Sequence, residues 1–155
     1  MTPRLYLLHG ADEYAATEFV DELKGRVSSD PGTAALNIAL FDGRTVTLAD
    51  VQGACGAMPF LAEQRLTIVE GWVTRLLGKV EEGEVSESGR AMLAALSAYL
   101  PDLPETAALV LLERRDLPER GPLFKALNQL PWARVKKFEV PQGEALVEWV
   151  RRRAR

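Results

Sequence analysis

A chain of 155 residues is the size of one domain, and 47% hydrophobic with 26% charged side chains is the composition of a folded globular domain rather than a disordered tail. The formal charge of −3 gives no overall basic field with which to coat nucleic acid. One cysteine, Cys55, and one histidine, His9, offer no intrachain disulfide, no Cys/His zinc cage and no conventional thiolate–imidazole pair.

The charge is unevenly spread. Residues 1 to 131 hold 12 basic and 19 acidic side chains, whereas residues 132 to 155 hold 7 basic and 3 acidic ones. The apolar run from Leu5 to Leu8 is too short for a signal peptide and is followed at once by Asp12 and Glu13. No stretch approaches the 18 or so apolar residues of a membrane helix, so the expected location is cytoplasmic, with no membrane partner.

In chain order, Arg4-Leu5-Tyr6-Leu7-Leu8-His9 between Pro3 and Gly10 predicts a strand buried on both faces. Asp12 is a good N-cap, and Ala16, Phe19, Val20, Leu23 and Val27 follow at helical spacing, predicting a helix over residues 13 to 27. Ser28-Ser29-Asp30-Pro31-Gly32 reads as a breaker. Residues 36 to 41 read as a second strand before Asp42-Gly43, and Thr47 caps a helix that ends near Ala57. Residues 65 to 70 form a third strand. A helical turn begins at Trp72, and residues 78 to 89, with Glu81, Glu82, Glu84 and Glu87, read as a polar loop.

Residues 90 to 100 return to helical spacing until Pro101 stops them. Residues 107 to 113 are the most hydrophobic strand candidate and are expected to be central. A helix over residues 121 to 130 precedes a fifth strand over residues 134 to 140, whose alternation of apolar and charged residues suits a half-exposed edge. From Gln142 onward Ala145, Leu146, Trp149 and Val150 define a last helix. Five strands alternating with helices predict an α/β fold: a three-layer, mostly parallel five-stranded sheet with helices on both faces and right-handed crossovers.

In such a sheet the first strand-to-helix turn is the usual phosphate cradle. Here it reads His9-Gly10-Ala11-Asp12-Glu13-Tyr14-Ala15-Ala16-Thr17. A phosphate loop needs a second glycine and a lysine before Ser/Thr, and both are missing. Asp12 and Glu13 stand at the positive end of the helix dipole themselves, so a triphosphate would meet like charge. A dinucleotide fingerprint fails too, for want of glycines at Asp12 and Ala15. Gly10, Asp12 and Glu13 therefore mark a degenerate turn in which Asp12 caps a helix, and no nucleotide, metal or other cofactor is expected.

The remaining polar candidates favour structural readings. His9 has no nucleophile nearby in sequence and no evident carboxylate partner. Cys55 reads as packed in the core. Arg114-Arg115-Asp116 reads as a solvated turn, the Glu81 to Glu87 group lacks the spacing and glycine of an EF-hand loop, and the Arg151 to Arg155 cluster suits the solvent face of a helix. Met58-Pro59-Phe60-Leu61 is different, because it puts large apolar side chains in a helix-to-strand connection, where polar residues are usual. A Phe-Leu pair buried in a partner's groove would be a hot spot; the alternative is that one of them folds back beneath the sheet.

Taken in order, Tyr6-Leu7-Leu8-His9-Gly10-Ala11-Asp12-Glu13, residues 37 to 43, Met58-Pro59-Phe60-Leu61-Ala62-Glu63-Gln64-Arg65-Leu66, Tyr99-Leu100 with residues 107 to 113, residues 120 to 127 and Val147-Glu148-Trp149-Val150 resemble the N-terminal domain of the delta subunit of bacterial DNA polymerase III. The resemblance implies an AAA+-like domain without a functional phosphate loop and without catalytic residues. It implies docking on the sliding clamp, the beta subunit, through Met58, Phe60 and Leu61, with Pro59 in the turn between them, and opening of the clamp ring for loading on DNA. Family members often carry Gln three residues before the position of Pro59; here it is Gly56, which shifts the weight to the apolar pair. The family continues into a lid domain and a collar that joins the other clamp-loader subunits, so the chain is expected to correspond to the first domain alone, with the basic end leading toward the lid. A degenerate nucleotide-binding hydrolase is the enzymatic alternative, and DNA contact through Arg151 to Arg155 a third reading.

Overall fold

The structure, a computed structural model, describes residues 2–78, 85–140 and 144–154. Five strands, β1 (Leu5–His9), β2 (Ile38–Asp42), β3 (Arg65–Glu70), β4 (Ala107–Glu113) and β5 (Ala133–Lys137), form one sheet in the order β2-β3-β4-β1-β5. Every pairing is parallel, which sharpens the expectation of a mostly parallel sheet. β4 lies third of five, hence central, and β5 is an edge whose outer residues are exposed, as its alternation required.

Because side chains alternate across a strand, a continuous apolar run feeds two cores. Leu5, Leu7, Leu109 and Leu111 point into one, beneath α3 (Leu48–Gly56), α4 (Trp72–Leu77), α5 (Glu87–Tyr99) and α6 (Pro122–Gln129). Tyr6, Leu8, Val110 and Leu112 point into the other, where Ala16, Val20 and Leu23 of α1 (Glu13–Val27) cover them. The result is three layers, with each crossover supplying cover to one face.

The helix ends follow local chemistry. Asp12 Oδ1 accepts the Ala15 N–H at 3.1 Å, and Thr47 with Asp50 forms a reciprocal capping box at the start of α3. The supposed breaker at residues 28 to 32 is instead the start of a short helix, α2 (Pro31–Leu36). Asp30 caps it by accepting the Thr33 N–H at 3.0 Å, and Pro31 occupies the first helical position, where its missing N–H costs nothing. The second strand accordingly begins at Ile38, two residues later than expected. Ser86 caps α5 through Gly89, so that helix starts within the expected loop; Glu81, Glu82 and Glu84 lie outside the described residues, as does Gln142 before the last helix, α7 (Glu144–Ala154). No helix among the described residues is long and apolar enough to cross a membrane.

Two glycines give opposite expectations for the same substitution. A Cβ on Gly43 would collide with the backbone N of Trp72 and the C atom of Gly71, where β2 leaves the sheet against the start of α4. A Cβ on Gly53, exposed on α3, meets nothing within 4 Å. Gly43→Ala is expected to destabilise by about 1–3 kcal/mol through overpacking, whereas Gly53→Ala stabilises by roughly 0.5–1 kcal/mol through helix propensity; urea unfolding of both variants checks the signs.

Candidate functional site

The strand-to-helix turns gather at the carboxyl edge of the sheet. After β1 the chain passes through Gly10 at φ 131, with its N–H donating to the Arg115 carbonyl at 2.9 Å. A Cβ there would overlap the Phe138 carbonyl, so the chain leaving β5 lies directly on this turn. The Asp12 N–H donates to the same Phe138 carbonyl at 3.1 Å.

Asp12 is only 5% exposed. While its Oδ1 caps α1, its Oδ2 accepts the indole N–H of Trp149 at 2.9 Å and a guanidinium N–H of Arg153 at 3.3 Å. Arg153 also lies over the rings of Tyr14 and Trp149. Thus α7 is fastened to the start of α1, and the last helix does not present all its arginines to solvent: Arg153 turns inward, Arg151 and Arg152 remain exposed, and Arg155 lies outside the described residues. Glu13, the first residue of α1, is exposed.

His9 is fully buried as a side chain and, against expectation, has carboxylate partners. Its Nδ1 accepts the Leu117 N–H at 3.0 Å, so the ring proton sits on Nε2 and is donated to Glu119 Oε1 at 3.0 Å; Asp116 Oδ1 lies 3.4 Å from Nδ1. Lys137 is held between Asp116 at 3.3 Å and Glu139 at 2.8 Å. The cleft bounded by Gly10, Ala11, Asp116, Lys137, Phe138 and Glu139 therefore has its lysine engaged by two carboxylates. Arg114 is not a solvated turn residue either: it pairs with Glu70 at 2.7 Å and donates to the Glu13 carbonyl and the Thr17 hydroxyl, tying β3, β4 and α1 together.

Glu113, at the end of β4, is 1% exposed and was not singled out from sequence. Its carboxylate accepts the N–H groups of Gly71 at 3.1 Å and Thr74 at 2.8 Å, capping α4, whose own N-cap, Gly71, has no side chain to do so. Burial pushes its pKa up to about 7, against the opposing pull of the backbone N–H groups of Thr74, Val73 and Gly71. A charged residue ending an otherwise apolar strand was the available signal.

The other candidate lies at the opposite edge. The connection from α3 to β3 enters the sheet at the amino end of β3, and it exposes Met58 at 81%, Phe60 at 55% and Leu61 at 79%, with Pro59 half-buried between them. Neither aromatic nor leucine folds back beneath the sheet. Leu61 has φ 52, the left-handed region, a conformation that costs a non-glycine residue about 1 kcal/mol or more. Beneath the loop sits Asn37, fully buried, whose amide bonds both backbone groups of Phe60. Sequence reasoning passed over Asn37, although an amide closing the run Ala34-Ala35-Leu36 before an apolar strand was a visible anomaly. Cys55, on the helix leading into this loop, is fully buried, and burial pushes its thiol pKa up, which suits packing.

The all-parallel five-stranded sheet with helices on both faces is an AAA+-like α/β fold, the class to which its solved structural neighbours belong. Within that class the chain belongs to the DNA polymerase III, delta subunit family, whose model matches residues 6–139. Among solved structures it is similar to the DNA clamp loader delta protein of Bacillus subtilis, with 25% identity and a TM-score of 0.73 over 91% of this chain and 40% of that one. A DNA polymerase III gamma subunit-related protein of Thermotoga maritima shares the fold, with a TM-score of 0.56 and 18% identity over 97% of this chain and 45% of that one. The chain thus spans less than half the length of either. A search of curated protein sequences gives no match.

The buried Glu113 carboxyl carries a pH signature. Its pKa is raised above that of the unfolded chain, so the folded state holds the extra proton between about pH 4.5 and 7, and the associated stability, complete below that window, is lost as pH rises through it. Wild type is expected to lose stability relative to Glu113→Gln by up to about 1.4 kcal/mol per pH unit across the window; denaturant melts of both proteins at pH 5, 6 and 7.5 measure the difference.

Proposed function

We propose that this domain is the clamp-docking part of a clamp-loader delta subunit, acting in the cytoplasm during DNA replication. Met58, Pro59, Phe60 and Leu61 form the anchor that enters an apolar groove on the sliding clamp, and docking favours the open form of the ring. The observation that carries this reading is the joint exposure of three large apolar side chains within four residues, in a member of this family. Isolated exposed apolar residues are ordinary; a compact group on a connection is not.

The work of opening comes from differential binding, since a partner shifts an equilibrium only by preferring one of its states. Burying Phe60 and Leu61 contributes about 1.5 to 3 kcal/mol each. The domain takes no part in ATP hydrolysis and has no catalytic site of its own. Gly10, Asp12 and Glu13 form a phosphate turn that does not bind nucleotide: the Asp12 carboxylate already takes the α1 N-terminal N–H, and Lys137 nearby is engaged by Asp116 and Glu139. The other clamp-loader subunits are its further partners, and Arg151 and Arg152, both exposed, are the terminal arginines open to DNA contact.

Replacing Phe60 and Leu61 together by Ala is expected to weaken binding to the cognate clamp by at least about 100-fold, with the circular dichroism spectrum and melting curve nearly unchanged because both side chains are exposed. Undiminished binding in a titration against the clamp contradicts the anchor. The enzymatic alternative, a degenerate nucleotide-binding hydrolase, is addressed separately: ATP and magnesium titrated calorimetrically are expected to give no binding heat, and heat at micromolar nucleotide would restore that reading.

A further inference from the structure

The segment from Ala57 to Gln64 has no regular secondary structure. Among the described residues, its backbone between Met58 and Glu63 makes hydrogen bonds at one residue, Phe60, and both go to the same side chain. The Phe60 N–H donates to Asn37 Oδ1 at 2.7 Å, and Asn37 Nδ2 donates to the Phe60 carbonyl at 2.7 Å. The second proton of Nδ2 goes to the Thr33 carbonyl at 2.9 Å. This pattern fixes the amide orientation, since a flipped amide would set its oxygen against two carbonyls and its NH₂ against an N–H.

The main chain of Asn37 is equally committed. Its N–H donates to Ala34 in α2 at 3.0 Å, and its carbonyl accepts the Leu66 N–H of β3 at 2.8 Å. One buried residue therefore joins α2, β3 and the exposed loop. Arg65 reinforces the junction by donating to the Ala54 carbonyl at 3.3 Å and the Leu36 carbonyl at 3.4 Å. Directly beyond the pinned residue the chain turns through the left-handed Leu61, a conformation that an unrestrained leucine would leave.

From this geometry we infer that Asn37 is a positioning residue for docking: by holding Phe60 at both backbone groups it keeps Phe60 and Leu61 in their outward arrangement before the partner arrives. The inference rests on the clamp-docking reading. A loop already ordered in the free protein avoids the ordering cost that association otherwise imposes. The amide is also specific for the task. Aspartate retains the acceptor but loses both donors, alanine loses all three bonds, and glutamine displaces the amide by one methylene.

Hydrogen exchange of the wild-type domain tests the pin directly. The Phe60 amide is expected to be protected to the level of the neighbouring β2 and β3 amides; exchange at the rate of an open loop overturns the inference without any variant. In Asn37→Ala, which removes the acceptor of the Phe60 N–H, the Phe60 amide is expected to exchange at least about tenfold faster while the β4 amides stay protected, and clamp affinity is expected to fall at least about tenfold at a temperature where the variant is folded. Introduced on top of the Phe60/Leu61 double replacement, Asn37→Ala should cause no further loss of affinity, because a residue acting only through that pair has nothing left to act on; an independent, additive loss overturns the positioning role. Binding lost in the double replacement but unchanged in Asn37→Ala overturns this inference alone, whereas full binding by the double replacement overturns the docking reading and this inference with it.

Discussion

Parallel strands cannot be joined by a tight turn: each connection must cross from the carboxyl edge of the sheet back to its amino edge. That requirement sorts every connection of this molecule into two groups. Those leaving strands, including the turn at Gly10 and the segment around Asp116, lie at one edge, and those entering strands, including Met58 to Leu61, lie at the other. Strands of five or six residues separate the two edges by about 17–20 Å. The apolar docking candidate and the phosphate turn are thus physically independent surfaces, and a change at one need not be felt at the other.

The carboxyl edge is where this fold usually does its chemistry, and here its polar groups are turned on one another. Asp12 is shared between a helix N-terminus, an indole and a guanidinium. His9 bridges a backbone N–H and Glu119, and Glu113 caps α4 from a neighbouring strand. A buried carboxylate that takes helix N–H groups meets the same need as a bound anion, with the difference that it cannot leave. The same residue types that would suggest a reactive centre in an open cleft act here as internal fasteners.

Much of this was legible from local pattern. The strand β3 and the central β4 are short apolar runs bounded by polar residues, Asp12 sits one residue before a periodic helix, and the charged alternation of residues 134 to 137 marks an edge. Asp30-Pro31-Gly32 misled because the same three residues that end one helix are also a sound start for another; only the bond from Asp30 to Thr33 decides between them. The exposure of Met58, Phe60 and Leu61 could be suspected but not decided, since an apolar loop side chain can turn either way with equal local propensity. Partners distant in the chain were out of reach altogether. Glu119 lies 110 residues from His9 and Arg153 lies 141 from Asp12, and no local rule links them. The role of Asn37 depends on a loop 23 residues away whose backbone has no other tether among the described residues.

The fastening of Asp12 also bears on how such a domain can change over generations. Replacing Asp12 alone would strand the indole of Trp149 and the guanidinium of Arg153 without their acceptor, while the Phe138 backbone would still rest on Gly10. Supplying a lysine alone would place it beside a helix end already satisfied by its own cap. An evolutionary route that begins by removing Asp12 therefore starts with a loss of stability, because the same carboxylate caps α1 and holds α7 against it.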